Sequence, residues 1–291
     1  VWKYINKIKE DGYEIEACPN RGYRLRRHPD KLFSHEVLEG FAGELFSGDK
    51  YYHYEQLPST NNTAYSLAEE GAPEGAVVVA EEQTSGKGRM GRRWESPRGG
   101  IYFSIILRPS GDIERIPSFA LTAGYSVVKS LEKAFSLDAR LKWPNDVLVK
   151  GRKICGVLSE MKAQPGMVDF LVAGIGLNAN TAAESLPEEA TSVKQETGND
   201  ISRCFLMRTV LECLEDSYSR FAKNGFRCLR DEIVKSCSFM GERVCVDRGG
   251  VKTEGVAADI DEHGALILEL PGGSRERILS GDVKSCRGVS S

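Results

Sequence analysis

Lys87, Arg89, Arg92 and Arg93 are interleaved with Gly86, Gly88 and Gly91 in residues 83–94. Glycine lets backbone N–H groups approach a ligand closely and the cations supply charge, so this stretch is suited to cradle a phosphate or a carboxylate. Read without its neighbours, it also fits a solvated, mobile glycine loop. Its glycines fit G-x-G-x-x-G, but a dinucleotide fold sets a helix directly behind that motif, and Pro97, Gly99 and Gly100 exclude one. A kinase loop is excluded as well, because the chain has no H-R-D or D-F-G. Further along, Pro144 fixes the backbone ahead of Asn145 and Asp146, whose oxygens suit a hard cation such as Mg2+. Alone, Asn-Asp beside proline is most often a turn. Lys153 stands at the base of a hairpin, where a lysine is ordinarily solvated. Ser59, Thr60 and Asn61 mark a strand–helix junction, where Ser59 or Thr60 can cap the helix. Capping accounts for one hydroxyl, and the triplet together offers convergent donors and acceptors to a small polar head group. Trp94, at the end of the glycine loop, is either a lid residue or a core tryptophan.

Strands and helices must bring these residues together. Residues 76–80, 101–107 and 168–175 are β-branched, apolar runs that read as core strands, and residues 51–55 are aromatic and strand-like. Two strands flank a turn near Lys150 and Gly151. Residues 115–135 place Ile116, Ala120, Ala123, Val127, Leu131 and Phe135 on one helical face. Residues 203–224 do the same with Phe205, Leu206, Val210, Leu214, Tyr218 and Phe221. A short helix is expected over 34–40, with Ser34 as its cap. Residues 181–200 are polar and acidic, and read as a long flexible loop. From Phe239 onward, short strands at 243–246, 255–260, 265–270 and 275–279 alternate with glycine turns, the texture of a small all-β barrel.

At the other end, a helix over residues 1–11 precedes a hairpin turned at Pro19, Asn20 and Arg21. Residues 1–28 carry Lys3, Lys7, Lys9, Arg21, Arg24, Arg26 and Arg27 against only Glu10, Asp11, Glu14 and Glu16, in a chain whose formal net charge is -3. A helix followed by a basic hairpin resembles the recognition helix and wing of a winged helix-turn-helix, with phosphate contacts from the wing and base contacts from the helix. It also fits a basic amphipathic cap. The chain opens at Val1 inside a helical pattern, so further sequence is expected upstream. His28, Pro29 and Asp30 mark a linker. No apolar run approaches the ~18 residues of a membrane span, and no secretory signal is visible. The 8 cysteines form no C-x-x-C and read as reduced thiols of a cytoplasmic protein.

Taken together, these pieces resemble the biotin protein ligase family over nearly the whole chain. The resemblance rests on Ser59-Thr60-Asn61, residues 83–94, Lys142-Trp143-Pro144-Asn145-Asp146, Arg152-Lys153-Ile154-Cys155-Gly156 and Gly174-Ile175-Gly176-Leu177-Asn178, in this order. The N-terminal residues resemble the bifunctional members, which also repress biotin synthesis. The family loop commonly reads Gly-Arg-Gly-Arg; Lys87 replaces its first arginine, keeping the charge and losing a bidentate fork.

The resemblance implies that biotin attacks the α-phosphate of ATP and that the biotinyl group passes from the adenylate to a lysine of a biotin carboxyl carrier domain, of acetyl-CoA carboxylase or related carboxylases. It implies Lys153, Arg89 and Asp146 as catalytic residues. Biotin would be bound by Ser59, Thr60, Asn61, Gln83, Lys87, Gly88, Arg89, Lys153 and Gly156. ATP and the adenylate would meet Lys87, Arg89, Trp94, Asn145, Asp146, Lys153 and Asn178, with Asn145 and Asp146 positioning Mg2+. Residues 83–94 and 181–193 would close as lids, the second over adenine. Lys3, Lys7, Arg21 and Arg24 would contact operator DNA, and the liganded protein would be a homodimer. Expected are a partial winged helix-turn-helix over 1–28, an α/β catalytic domain with a mixed sheet over 29–236, and an SH3-like β barrel over 237–291. Two other functions are compatible with these residues: a lipoate–protein ligase, and a DNA-binding regulator that senses biotinyl-adenylate without transferring it.

Overall fold

The structure, a computed structural model, describes residues 1–19, 21–109, 116–164 and 167–286. Helix α1 (Trp2–Glu10) and the antiparallel hairpin of β1 (Glu14–Cys18) and β2 (Gly22–Arg27) come first. The hairpin-turn residue Asn20 lies outside the described residues, as do Arg115 and the side chain of Ile116 in the expected helix. Then follow α2 (Ser34–Val37), β3 (Tyr51–Tyr54), α3 (Thr60–Glu69), β4 (Val77–Ala80), β5 (Ile101–Leu107) and α4 (Ile116–Phe135). Next are β6 (Ala139–Lys142), β7 (Asp146–Val149), β8 (Arg152–Gln164), β9 (Met167–Leu177), α5 (Val193–Thr197), α6 (Arg203–Asn224) and α7 (Arg227–Ser236). The chain ends in β10 (Arg243–Arg248), β11 (Val251–Ile260), β12 (Leu266–Glu269), β13 (Arg275–Ile278) and β14 (Asp282–Ser285).

Seven strands form one mixed sheet in the order β3-β4-β5-β9-β8-β7-β6, in which only β3 and β4 are parallel. Side chains alternate across it. Val77, Val79, Phe103 and Ile105 join the main core beneath α4 and α6, whereas Val78, Ile106 and Val172 pack on the other face against Ala64 and Ala68 of α3. That second face carries the site. The β7–β8 turn falls where expected, with Lys150 and Gly151 both at positive φ (51° and 78°), as a two-residue hairpin of right-handed twist requires.

Several expectations need correction. Residues 181–200 are not one long flexible loop: Thr191, Ser192 and Val193 are buried, Ser192 caps α5 by accepting from the Gln195 N–H, and Gly198 closes the helix in the left-handed region. Phe33 rather than Ser34 occupies the cap position of α2, and no side chain bonds there. Phe205 is 46% exposed instead of lying in the α6 stripe, and meets the ring of Phe135 edge-on. Helix α7 and strand β14 lie in stretches not assigned from the sequence. The C-terminal strands pair antiparallel in the order β13-β12-β11-β10-β14. Their anchor on the seven-stranded sheet's side is buried: Trp143, 1% exposed, donates its indole N–H to the Gly264 carbonyl at 2.9 Å.

Arg203, at the start of α6 and 3% exposed, ties the linker to the residues that follow β4 and precede β5. It donates to Asp30 Oδ2 (2.8 Å), the Gly100 carbonyl (2.9 Å) and Glu81 Oε2 (2.7 Å). Glu81 also accepts from the Leu32 N–H and pairs with His53. Burial alone would raise the Glu81 carboxyl, but His53, Arg203 and the Leu32 N–H outweigh it and hold the group at about 2. The folded value lies below the ordinary 4.5, so this contribution to stability is complete above pH 4.5 and is lost as pH falls towards 2. Glu81→Gln is therefore expected to cost about 3 kcal/mol in denaturant unfolding at neutral pH, with a gap to wild type that narrows on acidification. A gap that stays constant through the acid range would show that the carboxylate is not held this way.

Candidate functional site

A cleft of about 260 Å3 opens on the α3 face of the sheet, between the start of α3, the glycine loop, β8, β9 and residues 186–190. Ser59, Thr60, Asn61, Gln83, Lys87, Gly88, Arg89, Trp94, Asn145, Asp146, Lys153, Gly156 and Asn178 all line it, so every residue expected to bind biotin or ATP falls in one place. Lys3, Lys7, Arg21 and Arg24 are elsewhere, exposed on the N-terminal helix and hairpin, where Arg26 and Arg27 pair with Glu16 and Glu14.

The floor is made of glycine for a steric reason. In the sheet register Gly156 faces Gly176 and Leu158 faces Gly174. A Cβ on Gly174 would lie 1.9 Å from Asn61 Oδ1, and one on Gly176 would lie 2.5 Å from the Trp94 indole nitrogen. Trp94 is thus not a core tryptophan; it is half-buried, lines the cleft, and has Lys153 Nζ 5.0 Å from its ring centroid. Among the described residues its indole N–H has no partner.

At the neutral, hydrogen-bonding end, Gln83 Oε1 accepts from the Thr60 N–H (2.7 Å) and hydroxyl (3.1 Å), and Gln83 Nε2 donates to Ser96 Oγ (2.8 Å). Ser59 takes the N-cap position of α3 in an extended conformation, but its side chain makes no capping bond. Its hydroxyl is left for other use. Asn61, only 4% exposed, donates to the Leu158 carbonyl (3.2 Å) and Glu160 Oε2 (2.8 Å). Glu160 in turn lies 3.9 Å from Lys87.

At the cationic end, Lys153 Nζ sits 2.7 Å from Asp146 Oδ1. Residues 189–191 clip to the backbone of Lys153: its N–H donates to the Glu189 carbonyl and its carbonyl accepts from the Thr191 N–H, each at 2.9 Å. The edge of the 181–193 segment therefore forms a wall of the cleft. Asn145 Nδ2 donates to the Val157 carbonyl (2.7 Å), which turns Oδ1 towards Arg89 Nη1 at 3.2 Å. Burial lowers the Arg89 guanidinium and Arg92 adds to this, while Asp282 and Asp146 oppose both; an arginine so placed remains a cation. Cys155, directly behind the site, is fully buried and its thiol is raised by desolvation, which makes it inert as a nucleophile.

Asn145 and Asp146, the residues expected to position Mg2+, are thus engaged by Arg89 and Lys153. Among the described residues no group of three His, Cys, Asp or Glu side chains could hold a metal ion. The donor set fits an ion held mostly by phosphates and water, to which the Asp146 carboxylate would add a protein oxygen.

Four participating residues, Ser104, Glu160, Gly281 and Asp282, escape a reading of the sequence. Ser104 is fully buried in β5 and reaches both Thr60 and Asn61. Its one signal is a hydroxyl inside an apolar run. Glu160 lies in β8 beyond the Arg152–Gly156 motif and reaches Asn61. Gly281 and Asp282 come from the C-terminal sheet: Arg89 Nη1 donates to the Gly281 carbonyl (3.4 Å), and Asp282 pairs with Arg92 at 3.0 Å and Arg89 at 3.9 Å. Nothing in the sequence signals a contact so remote along the chain.

Comparison with known proteins follows the same lines. Residues 53–178 match the model of the Biotin/lipoate A/B protein ligase family, and residues 239–284 that of the Biotin protein ligase C terminal domain. The Bifunctional ligase/repressor BirA of Bacillus subtilis is 36% identical over 289 residues, spanning 98% of this chain and 88% of the relative. The Biotin--[acetyl-CoA-carboxylase] ligase of Paracoccus denitrificans is 32% identical over 226 residues, spanning 74% of this chain and 92% of the relative. Among solved structures, the biotin protein ligase from Aquifex aeolicus in complex with biotin and ATP superposes with a TM-score of 0.70 at 32% identity, covering 82% of this chain and 99% of that one.

Proposed function

The chain belongs to the biotin protein ligase family, and on that footing we propose that it condenses biotin with ATP to biotinyl-5'-adenylate and passes the biotinyl group to a lysine of a biotin carboxyl carrier domain. The observation that carries this reading is the single cleft in which a neutral hydrogen-bonding end and a cationic end share a glycine floor. A carboxylate oxygen attacks the α-phosphorus and pyrophosphate leaves; the carrier amine then attacks the acyl carbon, AMP leaves and the amine gives up a proton. Two anions must meet in the first step, so preorganised positive charge is what the protein supplies. Lys153, held by Asp146, is placed between the carboxylate and the α-phosphate. Arg89, held by Asn145 and the Gly281 carbonyl, faces the phosphates with Lys87. Ser59 and Thr60 take the ureido end, with Asn61 and Gln83 behind them. Trp94 and residues 186–190 cover the adenylate against water, and Asn178 Oδ1, which has no protein partner among the described residues, serves the adenine side. Asp146 would hold Mg2+, which when bound would supply neutralisation of phosphate charge.

Biotin is favoured over lipoate by the full set of loop, Lys-Trp-Pro-Asn-Asp and Lys153 motifs, and by relatives whose names specify biotin. We read residues 1–28, 29–236 and 237–291 as three units, the first a partial winged helix-turn-helix and the last an SH3-like barrel. The basic, exposed hairpin and the BirA relatives support a second role as a biotin-dependent repressor, with Lys3, Lys7, Arg21 and Arg24 on operator DNA. An intact set of catalytic residues argues against a pure sensor. At the two ends of the seven-stranded sheet, β6 is bridged at Leu141 to Cys237, and an edge such as β3 would pair liganded protomers. No helix among the described residues is long and apolar enough to cross a membrane, and the free cysteines with an ATP-dependent reaction support a cytoplasmic setting.

Transfer tests the main reading. The protein, biotin, ATP and Mg2+ are incubated with a carrier domain and with the same domain lacking its acceptor lysine; the first alone should gain a biotinyl group. No transfer to either would contradict it. The repressor role predicts operator affinity that falls steeply with salt.

The Asp282 contacts give a further expectation. Asp282→Ala removes the C-terminal carboxylate that holds Arg92 and Arg89, so retained biotinyl-adenylate should be lost about tenfold faster, an effect of order 1.4 kcal/mol. Its rate of formation should change less. An unchanged retention time in a folded variant would show that the C-terminal sheet does not steady the loop.

A further inference from the structure

The head-group end of the cleft has a fixed hydrogen-bond polarity, and its origin lies one layer behind the ligand. Asn61 Nδ2 faces the Leu158 carbonyl at 3.2 Å and Glu160 Oε2 at 2.8 Å. A backbone carbonyl can only accept, so the amide cannot be flipped, and Asn61 Oδ1 must face Ser104 Oγ, 2.6 Å away. A serine hydroxyl has one proton. Asn61 Oδ1 cannot donate, so Ser104 gives its proton there and offers only a lone pair to Thr60 Oγ1, at 2.8 Å. The other neighbour of the Thr60 hydroxyl is Gln83 Oε1, at 3.1 Å. That oxygen is fixed as an acceptor by the Thr60 N–H, which can only donate to it. Both protein neighbours of Thr60 Oγ1 are therefore acceptors. Its proton is turned into the protein, and its lone pairs are left for a ligand in the cleft that Thr60 lines. Ser59 has no such constraint, because its side chain makes no capping bond.

We infer that Ser104 is a positioning residue for substrate specificity: through Thr60 it presents an obligate acceptor to the ligand, so the site selects a head group with an N–H donor at that point. This rests on the biotin reading, in which a ureido N–H meets Thr60. Ser104 is 0% exposed in an otherwise apolar strand and touches no ligand itself. Without it, Asn61 Oδ1 loses its donor, and the Thr60 proton is left with one longer bond to an oxygen already in use. The Thr60 hydroxyl can then rotate and donate outward, and acceptor-bearing head groups become tolerable.

The test compares adenylate formation from biotin with that from cyclic carbamate analogues, in which one or the other ureido N–H is replaced by oxygen. Wild type should reject one of the two by about 10³-fold in kcat/KM, because the replacement sets two acceptors against each other. Ser104→Ala should reduce that discrimination about tenfold, chiefly by raising KM for biotin, with KM for ATP near wild type. Ser104→Thr, which keeps the hydroxyl, should restore it. If Ser104→Ala fails to fold, Ser104→Cys, close in shape but a weak donor and acceptor, should show the same loss. A folded alanine or cysteine variant that discriminates as wild type does would overturn the inference, as would a wild type indifferent to both analogues. Failure of the wild type to activate biotin at all would instead overturn the ligase reading.

Discussion

Lys153→Ala is expected to lower the rate of adenylate formation by about 10³-fold, the scale seen when a preorganised donor at a developing negative charge is removed. The lysine is not a loosely solvated hairpin residue. Its ammonium is held 2.7 Å from Asp146 and lies over Trp94, and its backbone is clipped on both sides by residues 189–191. A side chain so constrained meets the two reacting anions without reorganising, which is where electrostatic catalysis gains most. The effect should fall on the chemical step. On the proposed reading biotin would be held mainly by its head group at the opposite end of the cleft, so its affinity should drop far less than the rate. Single-turnover pyrophosphate release with saturating substrates separates the two. A wild-type rate in the alanine variant would remove Lys153 from the mechanism.

The second large effect is expected from a methyl group. Gly174→Ala places Cβ 1.9 Å from Asn61 Oδ1, and the amide cannot yield without breaking its bonds to Leu158, Glu160 and Ser104. Gly174 lies in β9 without a positive φ, so alanine suits the backbone and the damage is confined to the clash. Displacing Thr60 and Asn61 by the better part of an ångström should raise KM for biotin about 10²-fold. The same overpacking should cost about 2 kcal/mol of stability. Gly176→Ala is the comparison. Its Cβ would meet Trp94 instead, 2.5 Å from the indole nitrogen, so KM for ATP should suffer more than KM for biotin. Reversal of that pattern, or equal effects of both variants on both substrates, would show that the two glycines do not serve separate ends of the cleft.

These two glycines also show what was legible in the sequence. Runs such as 101–107 and 168–175 declare themselves as buried strands because β-branched density needs no partner to be recognised. The type of turn at Lys150 and Gly151 follows from the glycine. The ligand motifs are short and local, and resemblance to a family places them in one site although they span residues 59 to 178. The register that stacks Gly156 beside Gly176 and Ser104 beneath Thr60 is a different matter, because strand pairing between β5, β9 and β8 is set by the whole sheet. Residues 181–200 show the converse error. Their polar composition suggests solvent, but Thr191 and Ser192 are polar residues buried with their hydrogen bonds satisfied, and composition cannot show that. Phe205 errs in the other direction, fitting the helical period while its neighbour Arg203 takes the buried place. Asp282 was invisible because its partner lies in a loop on another sheet.

On the proposed reading, this cleft makes and keeps biotinyl-adenylate. Native mass spectrometry of the protein after incubation with biotin, ATP and Mg2+, and separately with lipoate in place of biotin, tests it without knowledge of the carrier. Retained biotinyl-adenylate with no lipoyl counterpart is the predicted result. Retained lipoyl-adenylate, or neither species, would contradict the account.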